Sequence, residues 1–316
     1  MKVAVLGAGA MGSVIGAHFH KGGADVTLID PFTALVEKIN KDGLKMTFNG
    51  KEEIVKMKAV LTPQEVGGTV DVVVVLVKGL FTRSAMQNAK CLFGDKTVAI
   101  SLQNGVGNVD IMKEFLPDEK IGNGTLNMSS RPLELGEVSG AAGKGVAVHF
   151  INETHSKTGI WVEIEEVLNK GGLLTEYSTD TEVMVWSKLL VNSCVNLTCG
   201  LARVNMGIFW DHPDGASLEE LIARELVAVA NAKGIKMDWD TAWNAYTKDL
   251  LPSVRDHYPS ATQDIMKKKK TEVDFLNGAV VRGGKETGIP TPVNDVIVKL
   301  THILEDNFDR QWDSIK

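Results

Sequence analysis

Apolar residues in the first half of the chain fall into short unbroken runs separated by stretches of helical periodicity. Residues 3–6, 26–29, 70–77 and 97–102 are such runs, rich in Val and Ile, as strands of a parallel sheet covered on both faces require. Residues 13–21 and 34–41 between them carry a helix-like spacing. Residues 44–48 and 53–57 flank Asn49-Gly50, a strong hairpin turn. A Gly-rich stretch, 122–145, then 146–150, predicts further strands with turns; 160–170 reads as a helix and 173–177 as a last strand. The pattern changes near Thr179-Asp180. Beyond it, residues 181–201, 218–233, 240–250, 261–282 and 293–308 are helix-like, punctuated by Pro252, Pro259, Pro290 and Pro292. The prediction is a doubly wound α/β domain with a partly antiparallel extension over 1–180, followed by an all-helical domain over 181–316.

The first apolar run leads into Gly7-Ala8-Gly9-Ala10-Met11-Gly12, and the second strand ends in Asp30. Strand, G-x-G-x-x-G, helix, strand and terminal acid, in that order, form the Rossmann-type dinucleotide fingerprint. Gly7 allows the tight turn, Gly9 lets backbone approach a pyrophosphate, and Gly12 lets helix and strand pack closely. Ala10 and Met11 lie within the cofactor-facing loop, and the helix that follows offers its free N–H groups to the phosphates. Asp30 is placed to accept hydrogen bonds from the adenosine ribose and to repel a 2′-phosphate, and Pro31-Phe32-Thr33 bring no cation there. NADH is therefore favoured over NADPH. The competing use of Asp30 is as a cap for the next helix.

Composition narrows this little. The 316 residues are 44% apolar and 23% charged, with a net charge of −6, which argues against a general nucleic-acid binder. The Lys267–Lys270 run reads as a solvated helix face, since Glu272 and Asp274 follow. Cys91, Cys194 and Cys199 are irregularly spaced, the His residues form no H-x-x-x-H pair, and no metal site is expected. The cysteines fit a reducing cytoplasm, and no apolar run is long enough for a membrane span.

The second half supplies candidate chemistry. Lys188, Asn192 and Asn196 recur every four residues and share one face of an otherwise apolar helix, where they line a polar cleft, face water or pack helices. Ser260 to Asp264 and Lys270 to Gly278 form a second polar cluster, with Ser260 as a helix N-cap under the plainer reading. Gln103-Asn104-Gly105 follows a buried strand, where ligands meet open α/β sheets, or forms a plain turn.

The GAGAMG opening, LVKGL after the third core strand, the QNGVG loop, the WSKLLVNSCVN helix and the SATQDIMKKKKTEVDFLNG helix together resemble the ketopantoate reductase family over nearly the whole chain. The resemblance implies reduction of a 2-keto acid to a D-2-hydroxy acid by a nicotinamide hydride. It implies Lys188 as general acid, and Glu272 as the carboxylate that engages both the substrate hydroxyl and the lysine. Asn104, Asn192, Asn196 and Ser260 match polar groups around the substrate. Lys78 matches a cofactor-proximal lysine, and Asn104 also stands near the cofactor. Many family members carry a cation, and use NADPH, where this chain has Asp30. The leading expectation is a 2-dehydropantoate 2-reductase of pantothenate biosynthesis. The alternative is an NAD-dependent D-2-hydroxyacid dehydrogenase for branched or aromatic 2-keto acids. A 3-hydroxyacid dehydrogenase ranks third, because residues 181–187 contain no Gly. A non-catalytic nucleotide sensor would not need the Lys-Asn-Asn stripe. The expected partner is a small 2-keto acid, with no nucleic acid or membrane; a homodimer is compatible with the chain.

Overall fold

The computed structural model describes residues 1–311. Two compact units emerge: residues 1–103 with 108–182, and residues 104–107 with 183 onward.

The first unit is built on an eight-stranded sheet. Its strands are β1 (Lys2–Leu6), β2 (Asp25–Ile29), β5 (Lys58–Val60), β6 (Val72–Val75), β7 (Val98–Ser101), β8 (Ile121–Leu126), β11 (Val148–Asn152) and β12 (Thr175–Tyr177), in the order β12-β11-β8-β7-β6-β1-β2-β5. Pairing is parallel except between β11 and β8. All four valines of β6 are fully buried, as the unbroken apolar run requires of a strand covered on both faces. At roughly 2 kcal/mol per buried Val side chain, such a strand is held mainly by burial. The chain runs β1, β2, β5 to one edge and returns to β6 on the other side of β1, so the order of strands reverses between β1 and β6 while both remain parallel. Helices α1 (Ala10–Lys21), α2 (Thr33–Asp42), α3 (Thr82–Asn88), α4 (Asn108–Met112) and α5 (Ile160–Lys170) complete the connections. A second sheet, β4-β3-β10-β9, is formed by β3 (Leu44–Phe48), β4 (Lys51–Val55), β9 (Met128–Pro132) and β10 (Glu137–Ala142). Asn49 and Gly50 take φ of 49° and 79° at the β3–β4 turn, the left-handed pair a tight hairpin demands.

The second unit is helical, with α6 (Thr181–Ala202), α7 (Met206–Asp211), α8 (Pro213–Ala232), α9 (Trp239–Asn244), α10 (Ser260–Met266), α11 (Asn277–Thr287) and α12 (Pro292–Glu305). Its core gathers Leu189, Cys194, Leu197, Leu226, Tyr246 and Val280. The single helix expected over 261–282 is instead two, α10 and α11. Helix α10 stops at Met266, and Lys267 and Lys269 both turn back to donate backbone N–H to Asp264 O. Lys268 adopts φ 53°. On a continued helix Lys267 and Lys270 would be like charges three apart on one face; the lysine run instead forms an exposed turn rather than a helix face. Residues 206–211, not anticipated as helix, form α7, capped by Asn205 Oδ1 on Ile208 N at 2.9 Å. Among the described residues no helix is long and apolar enough to cross a membrane.

Candidate active site

In the first unit, the glycine loop joins β1 to α1 beside the reversal point. Gly7 has φ +96°, and a Cβ there would stand 3.0 Å from the Leu76 carbonyl at the end of β6. A Cβ on Gly12 would fall 1.9 Å from Gly7 O, so the close helix–strand approach leaves no room for one. Around Gly9 nothing lies within 4 Å of that position. The missing side chain therefore clears open space at the N-terminus of α1, where Ala10 and Met11 stand in the first turn with free donors. These residues fit a dinucleotide pyrophosphate.

Asp30, half-buried, accepts from Ala8 N through Oδ2 and from Phe32 N through Oδ1, both at 3.0 Å. It does not cap α2, whose N-cap is Phe32. Each carboxylate oxygen keeps a second lone pair, so acceptor capacity remains while the group braces the loop. A cavity of about 350 Å³ opens beside this loop, lined by Ala10, Phe32, Leu35, Leu133 and Leu135 among others.

Lys78 follows β6 and stands at the N-cap position of a short turn, Gly79–Phe81, without a side-chain capping bond. The ends of β6 and β7 are tied together: Gln103 Nε2 donates to Val77 O at 2.7 Å and to Thr82 Oγ1 at 2.8 Å, and Thr82 Oγ1 donates to Asn108 Oδ1 at 2.9 Å.

In the second unit, Lys188, Asn192 and Asn196 occupy one continuous helix, α6, with Trp186, Leu189 and Leu190 buried around them. Lys188 and Asn192 keep partial access to solvent. Dense surroundings push the Lys188 ammonium down to about 8, and the opposing field of the Glu272 carboxylate raises it. Glu272 lies just before a one-turn helix, Val273–Phe275. That turn is fixed from its neighbour: Thr271 N and Oγ1 both donate to the buried Glu305 Oε1, at 2.8 and 2.6 Å. From the other side, Asn277, fully buried, donates Nδ2 to Ser193 O on α6 at 3.1 Å and to Asn294 Oδ1 at 2.9 Å. Asn277 falls in the polar cluster expected over 270–278, but its partners, and the parts played by Glu305 and Asn294, were not anticipated from the sequence. No local pattern marks them, because their partners lie far off along the chain.

Asn196 is 3% exposed, and its Oδ1 accepts from Ser260 Oγ at 3.1 Å and from Ala261 N at 3.0 Å. Its backbone O accepts from Thr262 Oγ1 at 3.0 Å. The start of α10 is thus capped from α6 rather than by Ser260, whose hydroxyl is held by Asn196. Asn104 sits in residues 104–107, which belong with this second unit. The structure therefore groups Lys188, Glu272, Asn192, Asn196, Ser260 and Asn104 in one unit, and the glycine loop, Asp30 and Lys78 in the other.

Residues 3–153 match the family described as ketopantoate reductase PanE/ApbA, and residues 180–305 match its C-terminal part. The 2-dehydropantoate 2-reductase of Lactococcus lactis subsp. lactis (strain IL1403) is 30% identical over 310 residues, 97% of this chain and 98% of that protein. Among solved structures, a ternary complex of D-mandelate dehydrogenase with NADH and anilino(oxo)acetate superposes with a TM-score of 0.88 at 30% identity, over 98% of this chain and 100% of that one. A PanE/ApbA family ketopantoate reductase from Ralstonia eutropha JMP134 gives a TM-score of 0.85 at 27% identity, over 97% and 99%. With both halves of the chain matched in order, the protein belongs to the ketopantoate reductase PanE/ApbA family.

Proposed function

We propose that this protein reduces 2-dehydropantoate at its C2 carbonyl to the D-2-hydroxy acid pantoate, using a reduced nicotinamide dinucleotide. The observation that carries the reading is the Lys188–Glu272 pair, an ammonium brought to about 8 with a carboxylate acting on it. The bound cofactor supplies the hydride. Lys188 Nζ stabilises charge growing on the C2 oxygen and donates the proton that completes the hydroxyl. Glu272 favours the ammonium form of Lys188 and accepts from a hydroxyl elsewhere on the substrate. Asn104, Asn192 and Ser260 supply uncharged groups for the substrate carboxylate and carbonyl, and Asn196 holds Ser260 in place. Gly7, Gly9, Ala10, Met11, Gly12 and Asp30 hold the dinucleotide, and Lys78 adds positive charge beyond β6. Asp30 favours NADH.

A second reading has its own support. The similarity to an NADH-bound D-mandelate dehydrogenase, together with Asp30, favours an NAD-dependent D-2-hydroxyacid dehydrogenase on the same residues. One experiment separates the two: kcat/KM with NADH and with NADPH across a panel of 2-keto acids that includes 2-dehydropantoate and phenylglyoxylate. Preference for 2-dehydropantoate supports the first reading. Preference for the aromatic acid replaces it with the second, and no turnover of either removes both.

A further inference from the structure

Residues 104–107 belong with the second unit although residues of the first flank them in sequence. Their attachment runs through the backbone. Val106 N donates to Phe275 O at 2.9 Å. From α11, Arg282 Nη2 donates to Val106 O at 3.1 Å and Arg282 Nη1 to Asp274 O at 2.5 Å. The same guanidinium lies 6.0 Å from the centre of the Phe275 ring. One side chain thus bridges a carbonyl of the segment carrying Asn104 and a carbonyl of the turn that follows Glu272.

The fit leaves no slack. A Cβ on Gly105, at φ +84°, would stand 2.3 Å from Phe275 O. One on Gly107, at φ +113°, would stand 2.7 Å from Arg282 Nη2. Both glycines hold backbone angles that L side chains rarely adopt, so the segment is shaped to lie flat against the turn.

We infer that Arg282 is a positioning residue, which fixes Asn104 relative to Glu272 by bridging Val106 O and Asp274 O. This rests on the reading of Asn104 and Glu272 as substrate groups. Arg282 is exposed, so its removal opens no cavity and costs the fold little. Its effect is geometric: the fork spans two acceptors at fixed separation, which a single ammonium does not reproduce. Misplacing a binding group by about 1 Å costs on the order of a hundredfold in rate.

The test is kinetic, on the full chain with its preferred 2-keto acid. Arg282→Ala is expected to lower kcat/KM by roughly tenfold to a hundredfold with an unchanged melting temperature. Arg282→Lys should not restore the loss, whereas millimolar guanidinium should restore part of it in Arg282→Ala and not in wild type. Because Arg282 acts through Asn104, adding Arg282→Ala to Asn104→Ala should cost far less than in wild type. Wild-type kinetics in Arg282→Ala beside an impaired Asn104→Ala overturns the inference and leaves the site reading intact. Fully additive losses with no rescue also overturn it. Wild-type kinetics in Asn104→Ala removes the site reading, and the inference with it.

Discussion

Asn196 on α6 holds the hydroxyl of Ser260 at 3.1 Å and the neighbouring Ala261 N–H at 3.0 Å with the same side-chain oxygen. A residue in register with Lys188 is thereby spent on joining α6 to the start of α10. Removing it leaves a buried N–H without an acceptor and a site hydroxyl without a fixed direction.

Asn196→Ala should therefore lower stability by about 1–3 kcal/mol, the cost of an unsatisfied buried donor plus a lost cap. It should also reduce kcat/KM through Ser260. Asn196→Asp keeps the acceptor and should recover most of the stability. Urea midpoints and steady-state kinetics of both variants check this. Equal stability in Asn196→Ala and wild type would show that the cap contributes nothing.

As the proposed general acid, Lys188 should set the pH dependence of the reaction. The donor form is the ammonium, so kcat/KM for reduction should fall as pH rises through about 8. Glu272 raises the lysine, so Glu272→Gln should move this falling limb to lower pH. Lys188→Ala should lose about 10²–10⁴-fold in turnover and retain dinucleotide binding. A pH–rate profile of wild type and Glu272→Gln is the measurement. A limb that stays in place means Glu272 does not act on Lys188.

Asp30 should discriminate between cofactors. A carboxylate braced by Ala8 N and Phe32 N cannot swing away from a 2′-phosphate without releasing the glycine loop. Preference for NADH of roughly tenfold to a hundredfold is expected near a screened surface. Asp30→Ala should reduce it and Asp30→Arg reverse it, both with some loss of overall affinity because the loop loses an anchor. If wild type prefers NADPH, the cation that receives the phosphate lies elsewhere, and Lys78→Ala would locate it.

Legibility in the sequence followed the range of the interactions. The apolar runs, the glycine loop and the segments LVKGL, QNGVG, WSKLLVNSCVN and SATQDIMKKKKTEVDFLNG are local, and the fold class and the family were readable from them, with Asp30 as a local departure. The pairing of β10 with β3 was not, since residue 137 meets residue 45 through a turn-rich stretch with no strand period of its own. The break between α10 and α11 was hidden because Lys267–Lys270 are individually good helix formers, and only their shared charge and the Asp264 carbonyl end the helix. The bond from Asn196 to Ser260, 64 positions away, and that from Arg282 to Val106, 176 positions away, leave no mark in any window.

Glu219 carries the last prediction. It is fully buried on α8, and Tyr246 Oη donates to its Oε2 at 2.6 Å. Its other oxygen, Oε1, has no hydrogen-bond partner among the described residues. Burial raises the carboxyl from 4.5 to about 8, against the lowering effect of the Tyr246 hydrogen bond. The folded protein thus keeps a proton that the unfolded chain releases above about 4.5. The stability this group allows is fully present below 4.5 and falls as pH rises from there to about 8, at about 1.4 kcal/mol per unit. Glu219→Gln keeps a neutral acceptor for Tyr246 and cannot ionise. The difference in urea midpoint between wild type and Glu219→Gln, in which all other titrations cancel, should therefore move in favour of the variant between pH 5 and pH 8, by the equivalent of a few kcal/mol. A difference that stays constant over that range would mean Glu219 is already ionised in the folded protein.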